Sequence, residues 1–238
     1  MASSLRSGKE TRQARNARLA ATAAPKVNKF ALLSETLLLG VCLFVLALPV
    51  VTAPAAFAAG SAHMERHVSG RSDSVASLWA DFRAALPGSW RFGLVALAAG
   101  VVAGINALLA GSEQLPGGTP VLVATVTLVA GLAVVLLRTA ALWQFEREAA
   151  QVRTKDVRTK DVPATDVPAT DVPAKDVWSG AWAQAKVDAA GDVSGSVLLL
   201  AAMAMAVTFV WMLPPLVFIV PGALVLAVVG VRYRTVAN

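Results

Sequence analysis

Charged residues are few in this chain, 15% of 238, where a soluble domain carries about a quarter. Cysteine is nearly absent. The single Cys42 excludes an intramolecular disulfide and, embedded in an apolar run, reads as a packing residue. Histidine is limited to His63 and His67, so a zinc site could not be completed without carboxylates or water. The two share a helix face at i and i+4, but Glu65 lies two residues from each and faces elsewhere. The trio therefore reads as the polar end of a helix. A glycine-lysine phosphate loop and a GxGxxG turn are both missing, which excludes those routes to nucleotide chemistry. Neither histidine comes with a nucleophile or orienting-carboxylate motif. The expectation is a chain without catalytic residues, cofactor or metal, and not an enzyme.

What fills the sequence instead is hydrocarbon. Hydrophobic residues make up 56% and the mean hydropathy is +0.63, with the apolar residues gathered in blocks. A membrane span takes about 20 such residues at roughly 1.5 Å rise each. The first block, from Phe30 to around Ala62, is too long for one perpendicular helix. It is also too long, with too many spans after it, for a cleaved signal peptide. Leu48-Pro49-Val50-Val51-Thr52-Ala53-Pro54 breaks it. Pro49 stops one helix, and Thr52 as N-cap with Pro54 in the first turn starts another. This predicts helices over 30–48 and 53–68, the second short or re-entrant. Further spans are predicted over 90–109, 119–142, 194–212 and 216–231. Their connecting turns, Gly111 to Gly118 and Leu213-Pro214-Pro215, lack lysine and arginine. The predicted fold class is all-α: a polytopic transmembrane bundle of about six membrane helices, since helices satisfy their own backbone in lipid.

The scarce charges are placed unevenly. Seven of the 21 lysines and arginines lie between Arg6 and Lys29, opposed there only by Glu10. Residues 1–29 thus read as a basic cytoplasmic tail, able to meet anionic lipid headgroups. The tail has no aromatic residue to stack on bases, which argues against nucleic acid. With six crossings, Arg66, Arg71 and Arg83, the segment from Arg147 to Lys160, and Arg232 with Arg234 all share the tail's side. With five they do not. The positive-inside rule selects six, with both termini cytoplasmic, in a bacterial inner (plasma) membrane. Trp90, Trp143 and Trp211 fall at or near predicted helix ends, where indole prefers the interface.

Two segments outside the spans are amphipathic. Over 74–86, Val75, Leu78, Trp79, Phe82 and Leu86 recur on one helix face, with Asp81 and Arg83 turned away. Such a helix lies on the membrane surface or docks a partner, making Trp79, Asp81, Phe82 and Arg83 the expected contact residues. A weaker version covers 177–189. Each precedes a hairpin of two spans, a pattern that suggests parallel internal duplication. Residues 152–176 are five tandem pentapeptides, VRTKD twice, VPATD twice and VPAKD, predicted as an extended, disordered linker. It separates a first membrane part, 30–151, from a second, 177–238. Glu35 and Arg138 lie near span ends and are expected to snorkel, while Asn106 suits a bond between helices. No midplane chain of acids suggests a coupled carrier.

Leu48-Pro49-Val50-Val51-Thr52, Pro54-Ala55 and Ser77-Leu78-Trp79-Ala80-Asp81-Phe82-Arg83 resemble the YesL family of bacterial membrane proteins. So does the ending, from Leu213-Pro214-Pro215-Leu216 through Pro221-Gly222 to Arg232-Tyr233-Arg234. The likeness runs over about 30–235 apart from the pentapeptides. It implies a protein without assigned catalytic residues, often encoded beside carbohydrate-uptake genes. The resulting expectation is a non-enzymatic accessory of solute (carbohydrate) transport with transporter subunits as partners; the alternative is a permease or channel in its own right.

Overall fold

The structure, a computed structural model, describes residues 29–71, 74–111, 118–161 and 173–237. The basic tail before Lys29 and the repeats over 162–172 lie outside the described residues, as does most of the turn before Gly118. Everything described is helix or short connection, with no strand among the described residues. The helices are α1 (Lys29–Leu46), α2 (Ala53–Val68), α3 (Val75–Gly111), α4 (Gly118–Asp161), α5 (Ala174–Gly191), α6 (Val193–Met212) and α7 (Val220–Ala237). Short 3₁₀ turns, Val50–Thr52 and Pro214–Phe218, precede α2 and α7. The chain divides at Ser34/Glu35. Up to Ser34 its described part is the opening of α1, and Glu35–Asn238 forms the bundle considered below.

Among the described residues, three helical segments are long and apolar enough to cross a membrane: Val75–Ala110, Gly118–Arg153 and Val193–Met212. The apolar stretch of α1, Leu32–Leu46, is shorter. The spans carry large aliphatic side chains on open surface, with Leu108 and Leu128 each 75% exposed. Water does not tolerate a continuous surface of this kind, whereas lipid does. The protein is an all-α membrane bundle.

Within it, α4 packs against α2, α3, α5, α6 and α7. Short α2 is buried nearly all round, through Ala55, Ala56, Ala58, Ala59 and Ala62. Alanine has little side chain to keep neighbouring backbones apart, so an alanine-rich helix suits the centre of a membrane bundle. Small residues also set the crossing of α7 against α1. A Cβ on Gly222 would strike the Thr36 carbonyl oxygen and sit 2.8 Å from the Gly40 amide nitrogen.

The α3 helix is two helices end to end. Pro87 has ψ 118° and Gly88 φ 96°, neither helical. The left-handed φ at Gly88 is a conformation that a side chain disfavours. The break divides the amphipathic helix 75–86 from the span 89–111, close to the predicted 74–86 and 90–109. A second junction, Asp192, separates amphipathic α5 from α6, so the order of amphipathic helix, break, span and return helix recurs.

Three expectations need correction. Thr52 stands before α2, but its side chain makes no cap bond to that helix. Its hydroxyl instead lies 2.6 Å from the Leu46 carbonyl and 2.8 Å from that of Pro49. It closes the end of α1, because the Val50–Thr52 turn holds its backbone in a helical region where an N-cap geometry is unavailable. Trp143 is not at a helix end. The α4 helix does not stop at Leu142, and Trp143 is buried in mid-helix with its ring 6.2 Å from that of Trp178 on α5. Finally, α4 continues through both VRTKD repeats to Asp161, where an extended linker was expected. Those copies contain no proline, whereas every later copy does, beginning at Pro163.

Replacing Gly222 by alanine should lower thermal stability in detergent by about 1–3 kcal/mol, the usual cost of overpacking. Gly230→Ala, on the same helix with open space around its Cβ position, is the control and should be neutral or slightly stabilising. Melting curves read by circular dichroism decide between these outcomes.

Candidate functional site

The bundle alternates direction, so α1 at Glu35, the end of α2, the start of α3, the later half of α4, the α5–α6 junction and the end of α7 meet. Many of the polar and charged side chains meet there too. Glu35 Oε1 on α1 lies 2.6 Å from His63 Nε2 on α2. Arg66, also on α2, donates to Asp81 at 2.6 Å, and Arg147 of α4 approaches the other Asp81 oxygen at 3.8 Å. Glu65 accepts from Gln144 of α4 at 2.7 Å and from Arg232 of α7 at 3.3 Å. The Arg232 guanidinium also donates to the Ala141 carbonyl and covers the Phe145 ring, 3.3 Å from its centroid. These contacts form a charged layer tying α1, α2, α3, α4 and α7 together.

Two polar contacts away from this layer are uncharged. Asn106 donates to the Thr125 hydroxyl at 2.7 Å, bonding α3 to α4 as expected. Thr52 closes the first turn.

Arg138 extends the charged layer to α5 and α6. Its guanidinium reaches the Asp188 carbonyl at 3.4 Å, the Asp192 carbonyl at 3.2 Å, the Asp192 carboxylate at 3.1 Å and the Ser196 hydroxyl at 3.2 Å. This side chain was expected to snorkel, but the acceptors at the α5–α6 junction hold it inside the protein, nine-tenths buried. Asp192 is the N-cap of α6 and accepts from the Gly195 amide at 2.8 Å. That amide, with help from the Arg138 guanidinium, holds the Asp192 carboxyl below the usual carboxylate range, against burial acting the other way. Arg234 approaches the same carboxylate at 3.7 Å and donates to Ser194 at 2.6 Å.

A cavity of about 460 Å³ opens beside this junction. Its polar boundary includes Arg138, Arg232, Asp188 and Asp192, and its apolar walls include Leu199 and Val228. A smaller one, about 200 Å³, lies across Arg232, where Glu65, Ser69, Arg71 and Tyr233 gather.

The residues expected to contact a partner separate into two groups. Phe82 is buried beside Leu78, and the Asp81 carboxylate is occupied by Arg66 and Arg147. These two are therefore anchors of the amphipathic helix. Trp79 and Arg83 remain exposed, with the Trp79 ring resting on Phe82 at 5.5 Å. His63 and Glu65 are buried, where a solvated helix end was expected. No group of three or more metal-ligating residues is found among the described residues. Sequence reasoning missed Gln144 and the pairing of Glu65 with Arg232. A signal existed for both: Gln144 and Arg147 lie one turn apart on a segment that continues a span, and Arg232 closes another.

No family model, curated protein or solved structure matches the chain, so its resemblance to the YesL family rests on the motifs alone.

Asp192→Ala should destabilise the bundle by about 1–3 kcal/mol, combining a lost cap with lost charge-assisted bonds. Asp192→Asn keeps the cap geometry and loses the charge. Because the folded carboxyl titrates below its unfolded value, its extra stability is present above about pH 4 and disappears as pH falls through the lowered pKa. The stability gap between wild type and Asp192→Asn, read from melting temperatures in detergent, should therefore close under acid.

Proposed function

We propose that this membrane protein is a non-enzymatic accessory component of a solute (carbohydrate) transport system, meeting a transporter subunit through its first amphipathic helix. One observation carries the reading. The 75–86 helix is fixed to the bundle by Leu78, Phe82 and the Asp81 ion pairs, yet it presents Trp79 and Arg83 outward. Tryptophan and arginine supply much of the binding energy at protein interfaces, particularly when held rigidly.

The charged layer supports the same reading from the opposite direction. Its ionised groups are engaged with one another and with backbone, linking one helix to the next, and this suits a scaffold better than a carrier whose charges must release an ion. Placing this layer on the cytoplasmic side of a bacterial inner membrane follows from the positive-inside rule. The transporter connection draws on the YesL-like motifs, and Trp79, Asp81, Phe82 and Arg83 belong to the segment that bears that likeness.

A photo-crosslinking residue placed at Trp79 tests the proposal in cells. The expected outcome is a covalent adduct with a transport subunit, together with reduced solute uptake in a strain carrying Trp79→Ala and Arg83→Glu. Loss of a tryptophan anchor should weaken the complex by at least about 2 kcal/mol, some thirtyfold. Unchanged uptake on deletion, with no transport subunit in the adduct, contradicts it. Solute flux through the purified protein alone in liposomes would favour a permease instead.

A further inference from the structure

The cavity between α4, α5, α6 and α7 is not absorbed by the partner-docking reading. It joins two environments. Its polar boundary lies where α5 ends and the α6 span begins, and its interior is closed by Leu199 and Val228. In a membrane protein this is the level at which headgroup gives way to hydrocarbon.

The chemistry of the boundary is short of acceptors. Asp192 is engaged by the Gly195 amide and by Arg138 and Arg234, and one Asp188 oxygen accepts from Gln184 at 2.7 Å. Arg138 lines the cavity, but both its terminal nitrogens are engaged at the α5–α6 junction and its Nε is enclosed by protein. Arg232 uses one terminal nitrogen, Nη1, for both the Glu65 and Ala141 contacts. A guanidinium offers five donors, so Arg232, whose side chain is 30% exposed, retains free ones.

Formal charge sets how anionic the missing acceptor is. Arg138 and Arg232 are matched by Asp188 and Asp192 around the cavity. The boundary is therefore neutral overall, which opposes a dianion most and leaves the phosphodiester of a zwitterionic or singly charged lipid to be held by the free donors of Arg232. Attached hydrocarbon would continue along the apolar wall. We propose that this cavity binds the phosphodiester headgroup of a membrane phospholipid, with Arg232 as its donor. The inference rests on the membrane reading of the chain and is independent of any transport partner.

The test uses full-length protein, extracted and extensively washed in a phosphorus-free detergent, then examined by native mass spectrometry and phosphorus assay. Three additions separate the ligand sources: phosphatidylglycerol or phosphatidylethanolamine, diacylglycerol without phosphate, and inorganic phosphate. Expected is a stoichiometric phospholipid adduct that diacylglycerol and inorganic phosphate do not reproduce. Arg232→Gln should weaken it about tenfold, the usual loss of a charge-assisted bond. Val228→Phe narrows the cavity without altering charge and should weaken the adduct while leaving a cooperative melt, which separates site loss from misfolding. An equal adduct in the Val228→Phe protein, or none in folded wild type, overturns the proposal. Recovery of the chain from the aqueous fraction without detergent would instead overturn the membrane reading beneath it.

Discussion

An ionised side chain bordering hydrocarbon persists only when another group in the protein replaces its water, and the architecture here follows from that constraint. The Arg138 guanidinium shows it most fully. It leaves a span and ends among two backbone carbonyls, a carboxylate and a hydroxyl, all from the α5–α6 junction. The junction in turn depends on Arg138, since Asp192 caps α6 while facing that cation. Removing one member of such a pair leaves the other's charge less well matched, which is destabilising. The pair therefore fixes where an interfacial helix turns into a membrane span.

The same constraint recurs through the charged layer. The α2 helix is too polar at its end to face lipid, and it is buried where Glu35, Gln144, Arg232 and Asp81 can answer His63, Glu65 and Arg66. Three carboxylates, Glu65, Asp81 and Asp192, each receive partners from two helices, so the layer behaves as one network. Farther along the spans, association relies on small residues at Gly40 and Gly222 and on the Asn106–Thr125 bond. One end of the bundle is held by charge, the remainder by close packing.

Span positions and breaks were legible because they are local. Pro49, Pro87-Gly88 and Pro214-Pro215 interrupt apolar runs, and the backbone departs from α-helix near each of them. The apolar face of 75–86 was equally legible, and Leu78 and Phe82 are buried on it as its periodicity implies. Partners across the bundle were not. Asp81 reads as a solvent-facing acid until α2 and α4 bring Arg66 and Arg147 to it. His63 and Glu65 suggested a solvated helix end for the same reason, since nothing nearby in sequence reveals Glu35 or Arg232. The extent of α4 was hidden differently: repetition suggested a linker, while the absence of proline from its first two copies permitted helix.

The central claim is that the charged layer occupies one membrane face and the Val50 and Leu213 turns the other. Single cysteines placed by Ala190→Cys, Ser69→Cys, Val50→Cys and Leu213→Cys, in a chain carrying Cys42→Ala, test it through labelling by a membrane-impermeant maleimide in sealed vesicles of known orientation. Labelling of positions 190 and 69 from one side and of 50 and 213 only from the other is the expected result. Labelling of all four from the same side would contradict the account.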